Sequence, residues 1–96
     1  METLFLIYDE MLEPHITGII ERDMVVARYT RIDEVVGARM AEQEQDTGYI
    51  SDRRNRIIIV IAEPPTIARL VSDLRALRAR EGHGLRGFVV PASQVI

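Results

Sequence analysis

Cysteine, lysine and tryptophan are all absent from the 96 residues of this chain. Without cysteine it forms no disulfide and offers no thiolate to a metal, which excludes disulfide-stabilised and cysteine–zinc modules. No apolar run approaches the roughly 18–20 residues that cross a bilayer, and the first residues, METLFLIYDE, lack the basic start of a secretory signal. We therefore expect a cytoplasmic protein without direct membrane insertion.

The charge balance is acidic overall and uneven along the chain. The net formal charge is −3, which disfavours a nucleic-acid-binding protein. Residues 1–48 contain 11 acidic residues and 4 arginines, net −7, whereas residues 49–96 contain 4 acidic residues and 8 arginines, net +4. Because every basic residue is arginine, two interpretations stay open: genomic codon bias, or recognition of phosphate by the planar guanidinium group.

Apolar periodicity predicts six elements in the order β-α-β-β-α-β. The predicted strands are residues 3–8, 24–31, 56–62 and 85–90, with helices at 9–23 and 63–82. This order is the ferredoxin-like arrangement, an α+β fold in which both helices cover one face of a four-stranded antiparallel sheet. We therefore predict a single domain over residues 1–96.

The strands also predict how copies of the chain assemble. In RIIIVIA, residues 56–62, three isoleucines alternate to one face, while Ile58 and Val60 take the other. Strands that are apolar on both faces need both faces covered, and two helices cover only one. The remaining apolar face therefore predicts a homo-oligomer packed through its sheets.

A long polar segment, residues 32–55, separates the second and third predicted strands. Structureless connections beyond about 12–15 residues are uncommon in compact domains and are usually functional or disordered. Its centre, EQEQDTG at residues 42–48, has no apolar side chain whose burial could offset the entropy of ordering. We therefore expect a mobile functional loop.

Three stretches in this layout resemble the PII signalling superfamily. YTRIDEVVGAR resembles that family's second strand running into a glycine-bearing loop, and GYISDRRNRIIIVIAEPPTIARLVSDL resembles its loop exit, third strand and second helix. GHGLRGFVVP resembles the glycine segment and last strand, which in the family read roughly GDGKIFVIP. Together they cover essentially the whole chain.

The resemblance implies a homotrimeric regulatory protein rather than an enzyme. Its sheets would face inward, and its clefts between subunits would bind an adenine nucleotide (AMP, ADP or ATP). The loop at residues 32–55 would be the T-loop, which contacts a protein target such as a transporter or an enzyme. The family's phosphate-binding lysine and C-terminal RxR are missing here. Divergent PII-like proteins linked to bicarbonate or metal transport are therefore a better comparison than sensors of 2-oxoglutarate.

Candidate ligand-binding residues are concentrated before the last strand and at the start of the loop. Glycines bring backbone N–H groups close to a phosphate, and an arginine can add paired hydrogen bonds. The alternative is a helix end followed by a turn into a strand. The predicted residues are Gly37, Arg39, Gly82, His83, Gly84, Arg86 and Gly87.

Three loop residues are candidates for contact with a partner protein. Tyr49 lies at the same distance before the third strand as the tyrosine that is modified in nitrogen-regulatory PII proteins, while Arg53 and Arg54 form a basic cluster with Arg56 at the loop exit. The alternative for each is an unmodified contact residue or a self-paired, solvated loop. No catalytic or metal-binding residues are predicted. An alternative function is a small trimeric metal-handling protein or enzyme similar to the CutA family, although its tryptophan-rich strand and HPYE segment are missing.

Overall fold

The predicted order of elements is confirmed by a computed structural model, which describes residues 1–25, 28–36 and 54–96. Its strands are β1 (Glu2–Asp9), β2 (Thr30–Val36), β3 (Arg54–Ala62) and β4 (Leu85–Pro91), and its helices are α1 (Glu13–Asp23) and α2 (Pro64–Glu81), with a short 3-10 turn before α1. The strands form one antiparallel sheet in the order β2-β3-β1-β4. The α+β ferredoxin-like fold is therefore confirmed. Neither α1 nor α2 is long and apolar enough to cross a membrane.

The second strand was predicted too early in the chain. It was expected at residues 24–31 but runs over Thr30–Val36, while Met24 is the C-cap of α1 and packs against the core. The predicted loop at residues 32–55 is correspondingly too long, because residues 32–36 and 54–55 belong to strands. The error has a physical cause: β2 is an edge strand whose helix-facing positions carry Arg31 and Asp33, so it lacks the apolar alternation that marks a strand.

Both helices pack on one face of the sheet around a continuous apolar core. The sheet contributes alternate side chains of β1 and β3, with Ile58 and Val60 fully buried. α1 contributes Ile16 and Ile20 from its apolar face, and α2 contributes a stripe at helical spacing. That stripe is Ile67, Leu70, Leu74 and Leu77. The core thus contains the residues that helical and strand periodicity select.

The opposite face of the sheet is apolar and is not covered by any described residue. Alternation directs Phe5 and Ile59 to this outer face, where Phe5 stacks on Phe88 with ring centroids 5.0 Å apart. Phe88 remains 55% exposed and Ile61 48% exposed. Solvent exposure of several large apolar side chains together is typical of an interaction surface.

β2 contains a β-bulge close to its end. Ile32 pairs with Ile57 and Val35 pairs with Asn55, so Asp33 and Glu34 together lie opposite the single residue Arg56. Glu34 has a φ of 57°, in the left-handed region that non-glycine residues rarely adopt. Bulges of this kind bend a strand and redirect its side chains, and here the bulge directs Asp33 towards Arg56.

Candidate functional site

The glycine segment before β4 is ordered by backbone geometry. Gly82 ends α2 with a φ of 84°, and its N–H donates to Arg78 O at 2.7 Å. Gly84 also has a positive φ, 85°, and its carbonyl accepts from the N–H of Asp9 at 2.8 Å. Left-handed backbone favours glycine at both positions. The segment is therefore a helix cap and a turn that is fastened to the end of β1.

Gly87 is required by the packing of two strands. It lies opposite Leu6 in the β1–β4 pair, and a Cβ at this position would collide with the carbonyl oxygen of Phe5. A side chain here would therefore force the strands apart. Gly87 was predicted as a ligand-binding residue, and strand packing alone is enough to account for its glycine.

Arg78 also anchors the glycine segment, although it was not among the predicted site residues. Its Nε donates to the carbonyl oxygen of Leu85 at 2.7 Å, which joins the last turn of α2 to the first residue of β4. The available signal was a basic side chain near the C-terminus of a helix, where such groups bond to nearby carbonyls.

The structure places the predicted residues around two separate depressions. His83 and Gly84 line a depression of about 580 Å³ with Arg54, His15 and the acidic residues Asp9, Glu10 and Glu81. Arg86 and Gly87 of β4 line a second, of about 400 Å³, against Arg75 and Arg78 of α2. The first is dominated by carboxylates, whereas the second has arginines beside an apolar floor. Gly82 lines neither.

Arg86 is the predicted residue best placed to meet an anion. It pairs with Ile7 across β1 and β4, so its side chain belongs to the outer face together with Phe88. Arg86 is exposed and forms no ion pair with another described residue. A guanidinium group beside a half-exposed aromatic ring is suited to a ligand with both a phosphate and a flat apolar ring.

A second cluster of charged residues, which sequence analysis did not select, lies on the helix-facing side of the sheet. Glu13, at the start of α1, accepts from Tyr8 Oη at 2.6 Å, from Arg56 at 2.9 Å and from Arg31 at 3.0 Å. Arg31 also donates from Nε to Asp33 at 2.8 Å. We call Tyr8, Glu13, Arg31, Asp33 and Arg56 the Glu13 cluster. It joins α1 to β1, β2 and β3.

The Glu13 cluster fixes the ionisation of its members. Burial alone would raise the pKa of Glu13, but the hydrogen bonds from Tyr8, Arg56 and Arg31 outweigh it, so the pKa lies below its ordinary value. Burial, reinforced by the hydrogen bond to Glu13, raises the pKa of Tyr8 well above its ordinary value. Glu13 is therefore a carboxylate and Tyr8 a neutral donor near pH 7.

The position of the Glu13 cluster relates it to the loop between β2 and β3. Arg31 and Asp33 lie in β2 and Arg56 lies in β3, a few residues before and after the connection formed by residues 37–53. The cluster therefore holds the loop-proximal ends of both strands against α1. Apolar periodicity could not reveal the Glu13 cluster, because in the sequence a charged residue at a helix-facing position has the same pattern as a solvent-exposed one.

Several predicted site residues lie outside the described part of the chain. These are Gly37, Arg39, Tyr49 and Arg53, and the expected mobility of residues 42–48 falls there as well. Within residues 1–25, 28–36 and 54–96, no group of three or more histidine or acidic side chains is arranged to hold a metal ion.

Comparison with known proteins gives matches among solved structures. No protein-family model matches the chain, and neither does any curated protein. The apo form of CPII from Thiomonas intermedia K12, a nitrogen regulatory PII-like protein, has a TM-score of 0.71 at 19% identity, over 93% of this chain and 85% of that one. CPII bound to ADP, AMP and acetate has a TM-score of 0.70 at 18% identity, over 92% and 81%.

A protein of the DUF3240 family from Shewanella baltica OS155 also matches, with a TM-score of 0.65 at 15% identity, over 98% of this chain and 91% of that one. Such low identities carry no information about individual site residues, but the likeness spans nearly the full length of each chain. The βαββαβ order, the sheet order β2-β3-β1-β4 and these matches agree. This chain has the fold of PII-like proteins.

Proposed function

We propose that this chain is a PII-like regulatory protein that binds an adenine nucleotide between subunits of a homotrimer. The loop between β2 and β3 would then contact a protein target such as a transporter or an enzyme. The supporting likeness is to CPII, which has been solved bound to ADP and AMP. We expect a cytoplasmic regulator and not a catalyst.

The observation that carries the nucleotide proposal is the placement of Arg86. Its side chain is exposed on the outer face beside Phe88, directly after the turn formed by Gly82 and Gly84. Arg86 can donate charge-assisted hydrogen bonds to phosphate oxygens, while Phe88 offers a ring surface to adenine. Gly37 and Arg39 are proposed to complete the site from the start of the loop.

The homotrimer is supported by the outer face of the sheet. Phe88, Ile61 and Ile32 remain about half exposed, and no described residue covers them. Packing these faces together would bury the apolar patch and bring the Arg86 of each subunit close to a neighbouring subunit. In sedimentation, a trimer has three times the 10.9 kDa mass of the chain.

The loop residues Tyr49, Arg53 and Arg54 are proposed to contact the target. Arg54 is exposed at the first position of β3. An exposed arginine at this position can pair with an acidic side chain of a partner, and rim charges of this kind affect mainly the association rate and its dependence on salt.

Calorimetric titration with AMP, ADP and ATP tests the nucleotide proposal. We expect Arg86→Ala to weaken binding by about tenfold to a hundredfold, because a charge-assisted hydrogen bond contributes roughly 1.5–3 kcal/mol. Arg80→Ala is the matched control, since Arg80 is exposed on α2 and, among the described residues, pairs only with its neighbour Glu81 at 3.9 Å. Absence of binding heat with all three nucleotides at millimolar concentration would exclude a nucleotide effector.

A further inference from the structure

A groove runs between α2 and the outer edge of β4, on the helix-facing side of the sheet. It consists of two adjoining depressions, of about 400 Å³ and 410 Å³, which share Val71, Arg75 and Val89. α2 forms one wall between Ile67 and Arg78, and β4 forms the other between Leu85 and Val89. The groove therefore follows most of the strand, whereas a compact small-molecule pocket would be shorter.

β4 is an edge strand with one side open. It pairs with β1, and no described strand pairs with its other edge. The backbone N–H and C=O groups on an open edge can bond to an added strand. A groove between an open edge and a helix is the arrangement by which some domains bind an extended peptide as an extra strand.

The floor of the groove is apolar because one position of β4 has no side chain. Leu85, Gly87 and Val89 alternate towards the helices, and Gly87 adds no side chain between the other two. The groove therefore reaches Leu4 and Leu6 of β1 beside Gly87. The space next to the Gly87 backbone is filled by the Phe5 carbonyl and Leu6, so an apolar side chain of an added strand would rest on these leucines from above.

The two ends of the groove differ in charge. Arg78 lies at the Leu85 end and already bonds through Nε to the carbonyl oxygen of Leu85, whereas Arg75 lines both depressions. Arg75 forms no ion pair with another described residue. Glu2 lines the opposite end, next to Pro91. A strand that runs antiparallel to β4 would bring its C-terminal end to the arginines.

We propose that this groove binds an extended, C-terminally acidic peptide as a fifth strand, antiparallel to β4. An apolar residue of the peptide sits over Gly87, its acidic end meets Arg75 and Arg78, and a basic group at its start meets Glu2. The seven residues of β4 correspond to a peptide of about seven residues at roughly 3.3 Å each. Arg86 lines the Leu85 end of this groove as well, but its side chain alternates to the outer face of the sheet.

Fluorescence anisotropy with a labelled peptide, Lys-Ser-Val-Thr-Val-Glu-Glu, tests the proposal. We expect saturable binding, with Arg75→Glu weakening it about tenfold or more, because a charge-assisted contact becomes repulsive. Arg80→Glu, on the same helix but outside the groove, is the matched control and should change the affinity less than about twofold. The peptide with reversed sequence should bind about tenfold more weakly.

A second probe distinguishes strand addition from simple charge attraction. N-methylation of alternate peptide residues removes the N–H groups that face β4 in one register but not in the other. We therefore expect one methylated peptide to lose binding and its counterpart to retain it. Equal effects of the two methylated peptides, or of Arg75→Glu and Arg80→Glu, would overturn the proposal.

Two further results would also overturn it. The first is no binding of the unmodified peptide at millimolar concentration. The second is that Arg75→Glu changes the sedimentation mass while the protein does not bind the peptide. That result would assign the groove to contact between copies of the chain.

Discussion

Replacing Glu13 by glutamine removes one negative charge from the Glu13 cluster while keeping the shape of the side chain. Glu13 is the acceptor for Tyr8, Arg31 and Arg56. Its own side chain is 17% exposed, so water can replace these partners only in part. We expect Glu13→Gln to lower the free energy of unfolding without changing the fold.

The magnitude follows from the three hydrogen bonds. A bond to a charged group contributes roughly 1.5–3 kcal/mol and a neutral one roughly 0.5–1.5 kcal/mol, so each bond loses about 1 kcal/mol. The Arg31 contribution is discounted because its side chain is 38% exposed. The expected loss is therefore about 2 kcal/mol near pH 7. For a chain of this size it lowers the melting temperature by about 8–16 °C.

Denaturant unfolding at fixed protein concentration and several pH values measures the loss. The folded-state pKa of Glu13 lies below its unfolded value, so the stabilising contribution is complete above the unfolded pKa of about 4.3. It is lost as the pH falls through the folded-state pKa. The difference in unfolding free energy between the wild type and Glu13→Gln should therefore be largest near neutral pH and should disappear at acidic pH.

Glu21→Gln provides the control, because Glu21 is an exposed glutamate on the same helix. It should change the unfolding free energy by less than about 0.5 kcal/mol at every pH. If Glu13→Gln costs no more than this control, or if its cost is independent of pH, the Glu13 cluster does not stabilise the fold as argued.

Two further predictions concern the sheet. Gly87→Ala should destabilise the chain by about 2 kcal/mol or more, because the new Cβ would collide with the Phe5 carbonyl. Gly18→Ala, which has open space around it, should instead raise the free energy of unfolding by up to about 1 kcal/mol. Equal melting temperatures for the two variants would contradict this reasoning. Ile59→Asp should dissociate the assembly in sedimentation and leave the circular dichroism spectrum of a folded protein, because Ile59 is on the outer face. Ile58→Asp should instead unfold the chain, because Ile58 is completely buried. A trimer that survives Ile59→Asp would place the subunit interface elsewhere.

The fold was predictable from the sequence wherever apolar residues follow the period of a helix or strand. The alternation in β3 and the stripe on α2 identify those elements to within two residues, and Gly82 marks the end of α2. The bounds of β2 were wrong because Arg31 and Asp33 occupy positions where an apolar side chain would signal a strand. Their partner, Glu13, lies 18 residues before Arg31 in the sequence, and only the tertiary structure brings them together.

The candidate site was predictable only in part for a related reason. The positive φ of Gly82 and Gly84 was predictable from their place after a helix, but the same geometry serves a turn as well as a ligand. Whether Gly87 faces a ligand or another strand depends on the β1–β4 register, which no local pattern specifies. The groove along β4 depends in addition on which strand lies at the edge of the sheet.

The bulge in β2 has a consequence for the lengths that this chain can tolerate. Glu34 is the extra residue opposite Arg56, so a chain without it could pair Ile32 with Ile57, Asp33 with Arg56 and Val35 with Asn55 in regular register. Loss of one residue from the stretch between Thr30 and Ile32 would instead shift the start of β2 against β3 by one position and turn its side chains to the wrong face. Among homologous chains, a one-residue gap in this strand is therefore expected at position 34.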